Sequence, residues 1–128
     1  MKNLDDDALE DVARYFSALA VPIRLKILSA LRDCERNVGE LTQIAESTQA
    51  NVSKHLAVLS QSGILAKSPR GTSVYYRFAD ARVYRLCDLV CGQIAERYAE
   101  QGKRQEIFLA ASGAPAKRKR ATRTLKRL

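Results

Sequence analysis

No acidic residue occurs between Ser47 and Ala79 of this 128-residue chain, a stretch that holds Lys54, Lys67, Arg70 and Arg77. A surface that excludes negative charge over such a length suits a polyanionic partner. Histidine is nearly missing: His55 is the only one. A lone imidazole has no second one with which to share a metal ion. It also lies 32 residues from Cys87, and no glycine-rich phosphate loop is present. No nucleophile with a base and an orienting partner is legible, so the chain reads as a non-enzyme that requires no cofactor. Cysteine is limited to Cys34, Cys87 and Cys91. An odd count argues against a disulfide framework and leaves thiols that either pack as small hydrophobes or work as sulfurs. Apolar runs are too short to span a membrane, and Met1-Lys2-Asn3-Leu4-Asp5-Asp6-Asp7 is no signal peptide. The expected location is the cytoplasm, with no membrane partner.

What the chain does have is basic charge, unevenly spread. The net charge is +8. Seven of the 22 basic residues (Lys117, Arg118, Lys119, Arg120, Arg123, Lys126, Arg127) fall between Pro115 and Leu128, where no acid occurs. Removing those seven leaves 15 basic against 14 acidic residues, a nearly neutral body. Two domains follow: a folded part over 1–102 and a basic tail over 103–128, disordered by composition from Ser112 onward. The tail suits nonspecific phosphate contacts, or is simply a solvated end.

Hydrophobic spacing sets out the folded part. Leu9, Val12, Phe16 and Leu19 form a helical stripe from Asp5 to about Ala20. Asp5, Asp6, Asp7, Glu10 and Asp11 suit the positive end of its dipole. Pro22 opens a second helix through Ile23, Ile27, Leu28 and Leu31, expected to end near residues 33–36. Val38-Gly39-Glu40-Leu41 opens a short third helix with Val38, Leu41 and Ala45 inward. Ser47 or Thr48 can cap a fourth, and Gly63 stops it. That fourth helix has an apolar back of Val52, Leu56 and Leu59. Its front carries Gln49, Asn51, Ser53 and Lys54, hydrogen-bonding side chains suited to base edges and phosphates. Residues 65–68 and 73–78 alternate as strands around a Pro69-Arg70-Gly71-Thr72 turn. Asp80 caps a long fifth helix reaching about Gln101. This order predicts a mainly α fold with a small β-hairpin, the winged helix-turn-helix. Its second short helix enters the major groove, and its hairpin touches backbone or minor groove.

Several motifs sharpen that reading. They are Ala18-Leu19-Ala20-Val21-Pro22-Ile23-Arg24-Leu25-Lys26-Ile27-Leu28, Val38-Gly39-Glu40-Leu41, Gln49 through Leu56, and Gly71 with Val74-Tyr75-Tyr76-Arg77. In this order and spacing, over roughly residues 8–100, the chain resembles the ArsR/SmtB family of small winged-helix repressors. The resemblance implies a homodimer formed through the first and fifth helices. It implies an inverted-repeat operator in double-stranded DNA, and release by a metal ion, metalloid or reactive sulfur species. Thr48, Gln49, Asn51, Ser53, Lys54 and His55 would meet the major groove, and Arg70, Thr72 and Arg77 would serve the wing. His55, beside inward Leu56, sits at the edge of that face and suits a structural role equally well.

The inducer is less legible. The family's metalloid site places cysteines near the start of the third helix, where this chain has Asn37-Val38-Gly39. Its zinc-type site uses histidine on the fifth helix, which here offers only Asp80, Asp88, Glu96 and Glu100. A redox branch uses a second-helix cysteine where this chain has Ser29; Cys34 comes five residues later. The fifth helix does carry Cys87 and Cys91, four apart on one face, in the stripe Tyr84, Cys87, Cys91, Ile94, Tyr98. Three readings stay open: a packed dimer seam, a thiolate site for arsenite or another soft ion with a third sulfur such as Cys34, and a persulfide or redox sensor. A direct disulfide between the pair would strain the helix, because Cβ atoms at this spacing lie about 5–6 Å apart and a disulfide wants about 3.5–4.5 Å.

Overall fold

Three of the four helices of the N-terminal half start where the sequence supplies a side-chain cap. In the computed structural model, which describes residues 1–101 and 105–113, α1 (Asp6–Leu19) follows Asp5, whose carboxylate accepts from the Ala8 amide at 2.8 Å. Helix α2 (Pro22–Ala30) opens on its proline, which has no N–H to leave unpaired. It stops at Ala30, short of the expected 33–36. Helix α3 (Val38–Ala45) carries a reciprocal capping box: the Glu40 amide donates to Asn37 Oδ1 and the Asn37 amide to Glu40 Oε1, both at 2.9 Å. Thr48, rather than Ser47, caps α4 (Gln49–Gln61), its Oγ1 accepting from the Asn51 amide at 3.2 Å. Between α3 and α4 the backbone turns sharply at Glu46, left-handed at φ 53°. Carrying a side chain there costs about 1–2 kcal/mol.

The C-terminal end of α4 is closed by a Schellman motif. The Ile64 amide bonds the Leu59 carbonyl at 3.0 Å and the Gly63 amide bonds the Ser60 carbonyl at 3.1 Å. Gly63 supplies the positive φ of 78° that this requires. Leu59 and Ile64, which flank the motif, are both fully buried. With Ile27, Leu28 and Leu31 from the α2 region, Leu41 from α3, Val52 and Leu56 from α4, and Leu65, they form the core. Each such side chain contributes about 1.5–3 kcal/mol of transfer free energy. Helix α2 packs on α3 and α4, and α3 packs on α4. The expected inward set of α3 holds for Leu41 and Ala45; Val38 is only half-buried.

The hairpin is longer and its turn tighter than expected. Strand β2 (Leu65–Arg70) pairs with β3 (Ser73–Phe78) up to Arg70 opposite Ser73. Only Gly71 and Thr72 remain as the turn, with Gly71 at φ 62°. Pro69 therefore lies in a strand, opposite Val74. It is tolerated because β2 is an outer strand in the order β1-β3-β2. The third strand, β1 (Arg36–Asn37), was not expected. It pairs Arg36 with Tyr76 and Asn37 with Tyr75, and two residues leave no alternation to detect.

The chain divides after Ala81. The second unit holds α5 (Arg82–Gln101), which begins two residues beyond Asp80, and α6 (Gln105–Ala111). Helix α6 falls inside the segment expected to be tail. It packs on α5: the Tyr98 and Phe108 rings meet edge to face at 5.1 Å. A Cβ on Gly92 would lie 3.6 Å from the Ser112 Cβ, ordinary contact distance. Among the described residues no helix is long and apolar enough to cross a membrane. The basic run from Lys117 to Arg127 lies outside the described residues.

Candidate nucleic-acid interface

The front of α4 has the properties its sequence suggested. Gln49, Ser53 and Lys54 are exposed, while Val52, Leu56 and Leu59 behind them are completely buried. The helix is thus bolted to the core by one face and offers the other to a partner. Its first turn contains no acid, so the positive end of the helix dipole is available to an anion. Thr48 and Asn51 have structural duties there. Thr48 is the cap, and the Asn51 side-chain amide donates to Ser47 Oγ at 3.0 Å. Both sit at the corner where α3 hands over to α4, so their polar atoms help to fix the angle at which α4 is presented.

Of the two roles open to His55, its surroundings support the structural one. It is only 8% exposed, and Arg24 Nε donates to its Nδ1 at 3.0 Å. A side chain so placed lies under α4, not on the face that would meet a groove. The bond requires Nδ1 to be unprotonated, which puts the neutral ring's proton on Nε2. Burial first, then the positive charges of Arg24 and Lys54, hold its pKa below the ordinary 6.5. Arg24 also donates from Nη1 to the Ala18 carbonyl at 3.3 Å. It joins the end of α1, α2 and α4 through one guanidinium. Sequence reasoning missed Arg24 in this role. The available signal was an inward-leaning histidine, whose buried nitrogen must find a donor.

On the hairpin, Arg70, Thr72 and Arg77 are exposed. Arg77 and Thr72 present their side chains to solvent, Thr72 at the turn itself. Arg70 is engaged within the molecule. Its Nη2 lies 2.7 Å from Glu35 Oε1, and its Cζ lies 4.8 Å above the centre of the Tyr75 ring. Glu35 carried no signal in the sequence, because the contact spans 35 residues. Next to Arg77 on β3, Tyr76 is half-buried, and its hydroxyl has its pKa raised by burial.

The cysteines divide between the two units. Cys34 is exposed, and Cys87 and Cys91 are half-buried on α5; all three are thiols. Among the described residues no group of three or more His, Cys, Asp or Glu is placed to hold a metal ion.

A capped α3, a left-handed corner, an outward α4 and a hairpin paired with a short third strand make a winged helix-turn-helix, and comparison with known proteins agrees. Residues 21–67 match the family model described as bacterial regulatory protein, arsR family. The chain is 33% identical over 89 residues to the HTH-type transcriptional repressor SmtB of Mycobacterium tuberculosis, an alignment covering 70% of this chain and 64% of that protein. The chain thus spans just under two thirds of that relative. It is 35% identical over 89 residues to the arsenical resistance operon repressor of Bacillus subtilis, covering 67% of this chain and 83% of the repressor. The homodimeric winged helix-turn-helix DNA-binding domain of Mb0332 from Mycobacterium bovis superposes with a TM-score of 0.65. That match is at 31% identity and covers 81% of this chain and 97% of that domain. The chain belongs to the arsR family of bacterial regulatory proteins.

Proposed function

We propose that this chain is a transcriptional repressor that binds an inverted-repeat operator as a homodimer. The observation that carries the proposal is the polar, acid-free front of α4, seated by Val52, Leu56 and Leu59 on the core. In this reading Gln49, Ser53 and Lys54 read and grip the major groove, with Thr48 and Asn51 setting the helix corner. Arg70, Thr72 and Arg77 serve the backbone from the wing. Dimerisation through α1 and α5 is supported by the large apolar side chains these helices expose. Leu9 and Phe16 are seven residues apart on α1, and Leu89 is 74% exposed on α5. The homodimeric state of the Mb0332 domain supports it as well. The basic run over 115–128 adds phosphate contacts that do not depend on sequence.

The inducer in this proposal is a thiophilic species, arsenite or another soft ion, taken up at Cys87 and Cys91 on the α5 face. Support comes from the soft-acid preference of thiolates and from the arsenical repressor among the relatives. A third sulfur then comes from Cys34 or from the second copy. A reactive sulfur species is the second reading. It is supported by the pair itself, because a polysulfide bridge needs only two cysteines and α5 supplies Cys87 and Cys91. Either event shifts the two α5 helices and changes the spacing of the two α4 helices, which must match half-sites about 34–36 Å apart. Coupling of about 1–3 kcal/mol lowers DNA affinity some 5- to 150-fold.

The test is fluorescence anisotropy of the reduced protein on DNA from upstream of its own gene, titrated with arsenite and, separately, with a polysulfide. Cys87→Ser/Cys91→Ser is run alongside. Release of the wild type alone supports sensing at α5. Equal release of both proteins removes the cysteines from the mechanism, and failure to bind the DNA removes the repressor reading.

A further inference from the structure

Arg70 at the end of β2 is drawn back across the sheet. Its guanidinium passes over Tyr75 of the central strand, with Cζ 4.8 Å from the ring centre. It ends at Glu35, the residue that leads into β1. Nη2 donates to Glu35 Oε1 at 2.7 Å and to Oε2 at 3.0 Å. The side chain therefore straps one outer strand to the approach of the other, over β3. The strap can be opened: the Arg70 and Glu35 side chains are 52% and 34% exposed. A carboxylate oxygen on Nη2 is chemically what a phosphate oxygen would be, a charge-assisted acceptor competing for the same N–H groups.

We propose that Glu35 is an intramolecular substitute for a DNA phosphate, which holds the wing arginine and so sets how tightly the wing grips the backbone. The proposal rests on the reading of this hairpin as a DNA-contacting wing. Arg70 must leave Glu35 before it can reach a phosphate, and the carboxylate it leaves behind recovers a counterion from solution. Glu35 thus lowers affinity for any duplex, irrespective of sequence, and flattens the salt dependence of binding. Tyr75 steadies the guanidinium in the arrangement that Glu35 holds.

The experiment is a two-by-two set of full-length proteins: wild type, Glu35→Gln, Arg70→Ala and the double variant. Each is titrated onto a fluorescein-labelled 30-base-pair duplex of arbitrary sequence at several salt concentrations. Glu35→Gln is expected to tighten binding about two- to fivefold, the range of a surface ion pair. It should steepen the slope of log K against log salt by up to about 0.9, the value of one phosphate contact. Arg70→Ala is expected to weaken binding, and Glu35→Gln to have no effect in the Arg70→Ala background. Tightening of equal size in both backgrounds would mean that Glu35 acts only through overall charge, and would overturn the proposal. So would unchanged or weaker binding by Glu35→Gln while Arg70→Ala weakens it. An Arg70→Ala protein that binds like wild type would instead overturn the wing-contact reading itself, and the proposal with it.

Discussion

Replacing His55 with leucine should destabilise the protein through Arg24 and not through the loss of a ring. The imidazole is 8% exposed and accepts from Arg24 Nε at 3.0 Å. Leucine fills a similar volume and cannot accept, so the bond lost is one made by a charged donor. Such bonds contribute about 1.5–3 kcal/mol. Because Arg24 is only half-buried, water recovers part of this, and the lower end, ~1.5 kcal/mol, is expected. With a urea m-value of ~1.5 kcal/mol/M the midpoint falls by about 1 M. Arg24→Met should cost a similar amount, and Arg24→Met/His55→Leu much less than the sum of the two. The coupling in the cycle is the bond itself. The sign of the pH dependence is an independent check. The folded pKa of His55 is held below 6.5. Below that value the unfolded chain binds a proton that the folded one refuses, so stability is lost as pH falls from 6.5 toward the folded pKa. That loss should be smaller in His55→Leu. Equilibrium urea denaturation at fixed protein concentration, at pH 7.5 and pH 5.5, measures both quantities. Additive single variants, or an identical pH response with and without His55, would refute the assignment of a buried, neutral acceptor.

Other consequences are more direct. Lys54→Ala removes an exposed cation from the α4 front, and should weaken binding while lowering the salt slope by about 0.9, one phosphate contact. Anisotropy at 50–200 mM salt reads both, and an unchanged slope would place Lys54 off the DNA. Gly63→Ala should cost about 1–2 kcal/mol of stability: φ is +78° and nothing lies within 4 Å of the added Cβ, so the penalty is all backbone. A thermal melt unchanged from wild type would contradict it. Deleting residues 115–128 should weaken binding to operator and arbitrary duplexes alike and reduce the salt slope. Loss of operator preference at an unchanged slope would count against a phosphate-binding arm.

Periodicity and capping chemistry were enough to place α1, α3 and α4 and to separate the front of α4 from its back, while periodicity found α2 and α5 without fixing the end of α2 or the cap of α5. Val52, Leu56 and Leu59 recur at helical spacing, and a cap needs only the right oxygen a few residues from a free amide. The same local logic found the hairpin but misjudged its turn. Proline signals a turn on its own, and only pairing across β3 shows that Pro69 sits on an outer strand with no ladder bond to lose. Helix α6 escaped because it is seven residues long and packs through neighbours such as Tyr98, which composition does not register. The acid-free stretch and the polar front of α4 were thus properties of the sequence alone, since they depend on which residues occur and at what interval. The roles of His55, Arg24, Glu35 and Arg70 were decided only by tertiary structure. His55 could stand at the edge of the reading face or beneath it, and Arg24, 31 residues away, settles that it lies beneath. Arg70 could face a phosphate or a carboxylate, and the folding of residue 35 to within 2.7 Å gives it the carboxylate. Hydrogen bonds between side chains act over about 3 Å, and no spacing along a chain reveals which distant residues the core will bring that close.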